Sequence, residues 1–288
     1  MDPQLVQLVI NGLAVGSIIA LASIGLTLTY GILRLSNFAH GDFMTLGAYL
    51  TLLVNTAGLN IWLSMAVGAT LTVVAVLVSE KLIWSPMRAH RANSTTLVII
   101  SIGLALFLRN GIILIWGGGN QSYNLPVSEA IPIWGLRIAY YDVVVMVLAV
   151  VAIAALHYLL QSTRIGKAMR AVADDIDLAR VTGINVDRVV IWTWIIAGGL
   201  TALGGSMLGL VEAVRPNMGW FLILPLFAAV ILGGIGNPYG AIAGAIVIGI
   251  AQEVSTYWLP TEYKLGVALV MMVLVLLFRP QGIFRGTL

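Results

Sequence analysis

The chain has 288 residues, of which 60% are apolar and 9% carry a charge at neutral pH. A soluble domain usually holds about 25% charged residues, and a soluble chain with so few would expose large apolar patches and aggregate. The absence of cysteine excludes a disulfide scaffold and a cysteine-ligated zinc site. The composition therefore indicates a polytopic membrane protein.

The apolar residues form stretches long enough to cross a bilayer. No charged residue occurs in 3–33, 43–79 or 216–252, and a crossing helix needs roughly 20 apolar residues. The first stretch is too long for a signal peptide and should remain as the first segment. The pattern predicts nine membrane segments, at 5–30, 42–54, 61–83, 95–116, 140–160, 189–211, 222–232, 241–258 and 265–278.

Two of these segments, 42–54 and 222–232, are short for a full crossing. Each adjoins a polar, glycine-bearing sequence, NFAHGD at 37–42 and GGIGNP at 233–238. Non-helical backbone at membrane depth is tolerated only where protein or a water-filled cavity satisfies its polar groups, and transporters commonly contain such breaks. We therefore expect an all-α, polytopic transmembrane fold with about 8–9 membrane segments, one or two of them broken or re-entrant, in a single domain 1–288.

The two glycine-bearing sequences supply the candidate pathway or gating residues, Asn37, His40, Gly41, Asp42, Gly233, Gly234, Gly236 and Asn237. An aspartate at membrane depth costs roughly 2.5–3.5 kcal/mol and usually faces an interior or a cavity. Three roles remain open for the first cluster. Asn37 and Asp42 are favoured helix-capping residues, the cluster could contact a substrate directly, or it could serve gating or packing.

The basic residues predict the orientation of the chain. Two loops and the C-terminal tail hold ten of the fifteen Lys and Arg residues, namely Lys81, Arg88, Arg91, Arg164, Lys167, Arg170, Arg180, Arg188, Arg279 and Arg285. The loops between them hold only three, Arg137, Arg215 and Lys264. The positive-inside rule then places the N-terminus outside and the C-terminus in the cytoplasm.

The long inside loop, 161–188, is expected to contain an amphipathic helix over 167–182. Its apolar residues recur at helical spacing, and Gly183 follows in the position of a helix C-terminal cap. A membrane-surface helix would carry basic residues along its polar face, whereas this face mixes basic and acidic residues. The pattern favours docking into a groove of a protein partner. A solvated connecting helix is the alternative.

The sequence predicts no enzyme and no cofactor site. The Gly166-Lys167 pair is followed by alanine and lacks the upstream glycine of a phosphate-binding Walker loop. The sequence has neither a His-Glu-x-x-His zinc motif nor a Gly-x-Ser-x-Gly elbow. We therefore expect that the chain does not hydrolyse ATP itself.

Four stretches resemble a known family. The stretch 177–183, DLARVTG, is similar to the coupling signature Glu-Ala-Ala-x-x-x-Gly of ABC-importer permeases, with Asp for Glu and Leu for the first Ala. Three further stretches resemble the membrane subunits of branched-chain amino-acid importers of the LivH type, NFAHGDFMTLGAY at 37–49, RAVADDIDLARVTGINVDRV at 170–189 and GGIGNPYGAIAGA at 233–245. The resemblance covers essentially the whole chain.

The resemblance implies a permease in the bacterial inner (plasma) membrane that pairs with a second, homologous permease subunit. It also implies two cytoplasmic ATPases that use ATP and Mg²⁺, a soluble substrate-binding protein on the outer side, and no nucleic-acid partner. The ATPase-coupling positions would be Asp177, Ala179 and Gly183.

The substrate is less sharply defined. Branched-chain amino acids are the main expectation, and importers of the same family for urea, short amides or other amino acids are the alternative. A different class, an ion-coupled secondary transporter, would use His40 and Asp42 as a proton site.

Overall fold

The computed structural model describes residues 2–126, 130–133, 136–279 and 281–284, and most of them are helical. The first half contains α1 (Pro3–Leu33), α2 (His40–Thr56), α3 (Ile61–Ser79), a π-helical turn (Glu80–Trp84), α4 (Ser85–Ala89) and α5 (Ser94–Trp116). A short hairpin of β1 (Ile131–Ile133) and β2 (Leu136–Ile138) follows. The second half contains α6 (Tyr140–Ser162), α7 (Arg164–Asp174), α8 (Ile176–Val181), α9 (Val186–Val211), α10 (Met218–Gly233), α11 (Pro238–Ser255), a 3₁₀ turn (Thr261–Tyr263) and α12 (Lys264–Phe278).

The structure confirms the all-α, polytopic class. Within the described residues, seven helical segments are long and apolar enough to cross a membrane. The two remaining predicted segments correspond to shorter helices, α2 with 17 residues and α10 with 16. We call the side of the molecule where α1 begins the N-terminal face and the side that carries α7 and α8 the loop face.

The first short helix begins at membrane depth. Arg34 ends α1 in a left-handed conformation (φ 52°), and the next residues return along α1 without helical structure. His40, the first residue of α2, contacts the carbonyl oxygen of Ala22, which lies about 16 Å from the end of α1 at 1.5 Å per residue. Six extended residues can span about 20 Å. The second crossing is therefore extended in its first half and helical in its second.

The second short helix also begins at membrane depth. α9 ends at Val211, and α10 begins only after six further residues. At its start, the Gly219 N–H donates to Thr45 Oγ1 of α2 (3.0 Å), and Gly219 packs against Gly41. The break in this segment therefore precedes α10, at 212–217.

This location corrects the prediction of a break at 233–238. That sequence forms a tight turn between α10 and α11 near the loop face, where the Gly236 N–H donates to Thr27 Oγ1 (2.8 Å). Asn237 caps α11 by accepting hydrogen bonds from the N–H groups of Tyr239 and Gly240. Glycine-rich sequence here marks a turn and a close helix crossing, because a side chain on Gly233 would contact the backbone of Gly240.

The helices form an inverted repeat. α1 packs against α9, α10 and α11, as α9 packs against α1, α2 and α3. Likewise α2 packs against α3 and α5, as α10 packs against α11 and α12. α1 runs from the N-terminal face to the loop face, and α9 runs in the opposite direction. The two short helices meet at the centre of this arrangement, and inverted repeats with binding sites at their midplane are common in transporters.

The N-terminal face also has direct links between the two halves. The Tyr257 hydroxyl, beyond the end of α11, donates to Asp2 Oδ2 (2.8 Å) at the start of α1. This hydrogen bond lowers the pKa of the Asp2 carboxyl. The backbones of Gln121 and Val214 also pair across the two halves.

Replacing Gly219 by alanine is expected to lower the free energy of unfolding by about 2–3 kcal/mol, because the new methyl group would overlap the backbone of Gly41. Gly111→Ala is the matched control, since nothing lies within 4 Å of a methyl group there. Alanine in an exposed helix should instead stabilise by about 0.5–1 kcal/mol. Unfolding titrations with SDS in mixed micelles measure both values. Equal effects of the two variants would contradict the close packing of α2 and α10.

Candidate functional site

A buried ion pair lies where the two short helices meet. Asp42 is in the first turn of α2, and its side chain is fully buried. Arg109 of α5 donates from Nε to Oδ1 (3.1 Å) and from Nη2 to Oδ2 (3.3 Å), and its guanidinium lies 4.4 Å from the ring centre of Trp220 in α10. A buried pair persists only with good geometry, and a two-bond fork between arginine and carboxylate provides it. We call the meeting place of α2, α5 and α10 the helix junction.

The structure decides against a capping role for Asp42. The N-cap of α2 is Ala39, which has no side chain that could cap, and the Asp42 carboxylate is occupied by Arg109. Asn37 comes closer to the predicted role, because its Oδ1 accepts the N–H of Ala39 (3.1 Å) in the turn that enters α2. Its buried amide nitrogen has no hydrogen-bond partner among the described residues.

His40 has a different set of partners. Its Nε2 lies 2.8 Å from the Ala22 carbonyl oxygen in α1 and 2.9 Å from Thr201 Oγ1 in α9. A carbonyl can only accept, so this network assigns a hydrogen to Nε2. The Thr201 hydroxyl donates to Ala197 (2.6 Å), so the single hydrogen on His40 Nε2 is shared between the Ala22 carbonyl oxygen and Thr201 Oγ1. The histidine therefore joins α1, α2 and α9.

His40 and Asp42 do not act on each other as a proton site would require. Two residues apart, their side chains leave α2 about 200° from each other. Each is held by a different helix, His40 by α1 and α9 and Asp42 by α5. The structure thus brings Asn37, His40, Gly41 and Asp42 to the helix junction, each with its own contacts, and gives no geometry that favours ion coupling through the pair.

The other glycine-rich candidates lie elsewhere. Gly233, Gly234, Gly236 and Asn237 are in the turn between α10 and α11, near the loop face. Next to this turn, the Tyr239 hydroxyl accepts a hydrogen bond from Gln161 (3.2 Å) and bonds His157 Nδ1 (2.9 Å). A cavity of about 90 Å³ lies between Tyr239 and the helices α1 and α7. The turn is therefore tied to the end of α6, where the long loop begins.

The long loop contains two helices instead of the one predicted over 167–182. Asp175 interrupts the helix with an extended conformation (φ −152°, ψ 111°), and its carboxylate caps α8 by accepting two backbone N–H groups. At the other end, Gly183 has φ +87°, and the N–H of Ile184 donates to the carbonyl of Ala179 (3.0 Å). This hydrogen bond is typical of a glycine-terminated helix.

The three predicted coupling residues have different environments. Asp177 has an exposed side chain, Gly183 ends α8, and Ala179 is only 3% exposed because it faces the body of the protein. Two apolar residues that the sequence analysis did not select, Leu178 and Val181, are 61% and 85% exposed. The exposed residues of α8 are Ile176, Asp177, Leu178, Arg180 and Val181, and Leu178 and Val181 are the most exposed of the apolar ones.

A second charged cluster, which sequence analysis did not single out, lies at the loop-face end of α3. Glu80 begins the π-helical turn and is buried. Its carboxylate accepts a hydrogen bond from Trp194 Nε1 (2.6 Å) in α9 and pairs with Arg88 beyond the turn. The cluster therefore joins the end of α3 to α9, the helix that follows α8 in the chain.

An inverted repeat of membrane helices, whose interrupted helices meet beside a buried ion pair, is the architecture of a transport permease. The comparisons with known proteins agree with this class. Residues 8–276 match the family model described as branched-chain amino acid transport system / permease component. The chain therefore belongs to this family of permease components, as its sequence resemblance predicted, and it is a multi-pass membrane subunit of a transporter.

Relatives match over nearly their full length. The high-affinity branched-chain amino acid transport system permease protein LivH of Escherichia coli K12 is 34% identical, with 96% of this chain and 94% of the relative covered. The corresponding permease protein BraD of Pseudomonas aeruginosa is 30% identical over the same shares. Among solved structures, PsaBC from Streptococcus pneumoniae in complex with Fab aligns with a TM-score of 0.54 and 12% identity, over 94% of this chain and 91% of that one. This last likeness concerns the fold alone.

Proposed function

We propose that this chain is the permease subunit of an ATP-driven, binding-protein-dependent importer of branched-chain amino acids. It would form the translocation pathway with a second, homologous permease subunit in the bacterial inner (plasma) membrane, with residues 1–288 as one permease domain. The observation that carries the proposal is the family match over 8–276. The named relatives belong to branched-chain amino-acid systems, and the helix junction supplies a polar centre at membrane depth.

The proposal assigns ATP hydrolysis to two cytoplasmic ATPase partners that bind ATP and Mg²⁺, and it assigns no cofactor to this chain. In it, α8 docks into a groove of one ATPase through Leu178 and Val181, which are exposed apolar side chains, with Asp177 beside them. Ala179 would fix α8 to the permease, and Gly183 would end α8 before the chain turns into α9. Closure of the ATPase pair would then displace α8 and α9 and switch the pathway between two packing states.

The proposed orientation puts the N-terminal face outside and the loop face in the cytoplasm. Basic residues at the loop face support it through the positive-inside rule, with Arg88, Arg164 and Arg188 among them. Arg285, which the sequence analysis also assigned to the cytoplasmic side, lies outside the described part of the chain. A soluble binding protein would deliver the substrate at the N-terminal face, which carries the hairpin of β1 and β2.

Stimulation of ATP hydrolysis by loaded binding protein tests this function. The chain is co-purified with the permease, ATPase and binding-protein products of neighbouring genes and reconstituted in nanodiscs. We expect binding protein loaded with leucine, isoleucine or valine to increase ATP hydrolysis, and binding protein offered urea or acetamide to leave it at the basal rate. Stimulation by urea or acetamide alone would overturn the substrate assignment. Failure of the chain to assemble with any ATPase would overturn the importer assignment.

A further inference from the structure

The helix junction has a polar surface that lipid cannot cover. The Arg109 side chain is 15% exposed, and Trp220, which stacks on it, is 36% exposed. Arg109 lies within α5, about 10 Å from the end of that helix at 1.5 Å per residue. A guanidinium that touched hydrocarbon at this depth would cost several kcal/mol, so such groups face a protein interior or a water-filled cavity. The exposed side of the Arg109–Trp220 stack therefore faces protein or water, and in the proposed permease it would line the pathway.

The positive charge at this surface has capacity for a second acceptor. A guanidinium has five N–H groups, and the two bonds to Asp42 use two of them. The N-termini of α2 and α10, which meet at Gly41 and Gly219, add the partial positive charge of helix dipoles. An incoming carboxylate would find both free N–H groups and a favourable potential here.

The walls beside the ion pair are apolar. Trp220 forms one wall, and Leu224, one turn further along α10, is also partly exposed. A carboxylate-binding group, a carboxylate and an apolar wall together match the three parts of an aliphatic α-amino acid, which are its carboxylate, its ammonium group and its side chain.

We propose that Asp42, Arg109 and Trp220 form a transient binding site for the zwitterionic backbone of an aliphatic α-amino acid in the pathway. The substrate carboxylate binds Arg109 and draws its guanidinium away from the buried Asp42 side chain, which then binds the ammonium, while the substrate side chain packs on Trp220. Removing one partner from a buried ion pair costs several kcal/mol. Binding of a zwitterion replaces the Asp42–Arg109 ion pair by two ion pairs, one at each residue, and leaves neither protein charge unpaired. A molecule with only a carboxylate would meet an arginine whose charge Asp42 already neutralises, and a molecule with only an ammonium group would have to displace Arg109 from Asp42 and leave it unpaired.

The inference rests on the proposed function and adds a selectivity step within the permease. It predicts that the permease itself admits molecules with both a carboxylate and an ammonium group. Leucinamide lacks the carboxylate and 4-methylpentanoate lacks the ammonium group, and both keep the apolar chain of leucine. These three compounds therefore separate recognition of the zwitterion from hydrophobic contact alone.

The test uses single cysteines, because the natural chain has none. Leu106 is three residues before Arg109 on the same face of α5 and is 47% exposed. In the complete transporter without its binding protein, we expect Leu106→Cys to react with a small hydrophilic methanethiosulfonate. We expect leucine to slow this reaction at least threefold, and leucinamide and 4-methylpentanoate to leave its rate unchanged.

Two control cysteines calibrate the rates of reaction with the methanethiosulfonate. Val270→Cys, in the middle of α12, is exposed in an apolar segment and should not react with the hydrophilic reagent. Glu262→Cys lies at the N-terminal face and should react at one rate with or without leucine. An unreactive Leu106→Cys, or equal protection by leucine and leucinamide, would overturn the proposed site.

A paired substitution gives the second test. Asp42→Asn with Arg109→Gln keeps hydrogen-bonding groups on both helices and removes both charges. In the Leu106→Cys background, this pair should abolish the protection by leucine, and protection that persists would overturn the site. The analogue series uses the unaltered ion pair, so it decides the question even if this variant fails to assemble. If the wild-type complex imports leucine but leucine gives no protection, the site fails and the proposed function stands. If the wild-type complex imports no amino acid, the proposed function fails.

Discussion

Replacing both Leu178 and Val181 by aspartate is expected to abolish ATP-driven transport while the permease still inserts and folds. Burial of an exposed leucine or valine contributes roughly 1.5–3 kcal/mol, and the variant would also place two charges in the proposed ATPase groove. A loss of about 3 kcal/mol alone weakens binding more than 100-fold. We therefore expect the ATPase subunits to be absent from the purified complex, and stimulated ATP hydrolysis to be lost with them.

Folding of the permease should be unaffected by this change, because both side chains are exposed on the short helix α8. The matched control is Leu259→Asp, a change at a half-exposed leucine beyond the end of α11. It should retain the ATPases and normal stimulation. A Leu178/Val181 variant that keeps its ATPases and its stimulated turnover would contradict the docking of α8.

Removing one charge of the Asp42–Arg109 pair is expected to destabilise the permease by about 3–5 kcal/mol, since the remaining charge stays buried without its partner. Asp42→Asn and Arg109→Gln should each show this loss. Their combination should cost much less than the sum, because it leaves no unpaired charge. SDS unfolding titrations of the two single variants and the double variant measure the coupling.

Arg137→Gln is the control for loss of an arginine. Arg137 is exposed in β2 at the N-terminal face, and its backbone N–H contacts Gln7. Its replacement should change the free energy of unfolding by less than about 0.5 kcal/mol. Additive losses at Asp42 and Arg109 would show that the pair contributes no interaction of its own.

The fold class followed from composition because a bilayer imposes one dominant rule, that the backbone must satisfy its own hydrogen bonds. Nine apolar stretches therefore became nine helices. The inverted repeat was not visible in the sequence, because its two halves are alike in how their helices pack and not in most of their residues. At the point where the halves meet, the equivalent tripeptides are GDF at 41–43 and GWF at 219–221.

The junction was predicted in part. The sequence NFAHGD showed that polar backbone and side chains interrupt an apolar region, which located the first break. The second break was placed on the wrong side of α10, because GGIGNP has strong turn residues whereas 212–217 does not have such a conspicuous pattern. Turn residues indicate where a chain bends, but the depth of the bend depends on the helices around it.

Arg109 is the residue that sequence reasoning should have selected. It is a single charge within the predicted segment 95–116, and an ionisable residue in a membrane segment is a functional candidate with a partner to be named. The partner could not be read from the sequence, since Asp42 lies 67 residues away. The sequence also could not show that Asp175 would split the loop helix into α7 and α8.

The central claim is that this chain imports amino acids only as part of an ATP-driven complex. Accumulation of labelled leucine in proteoliposomes tests it most directly, with the complete complex compared with the purified chain alone under a proton gradient. We expect the complex to accumulate leucine only when ATP and the binding protein are both present, on opposite sides of the membrane, and the chain alone to accumulate none. Leucine uptake by the chain alone, driven by the proton gradient, would contradict the account.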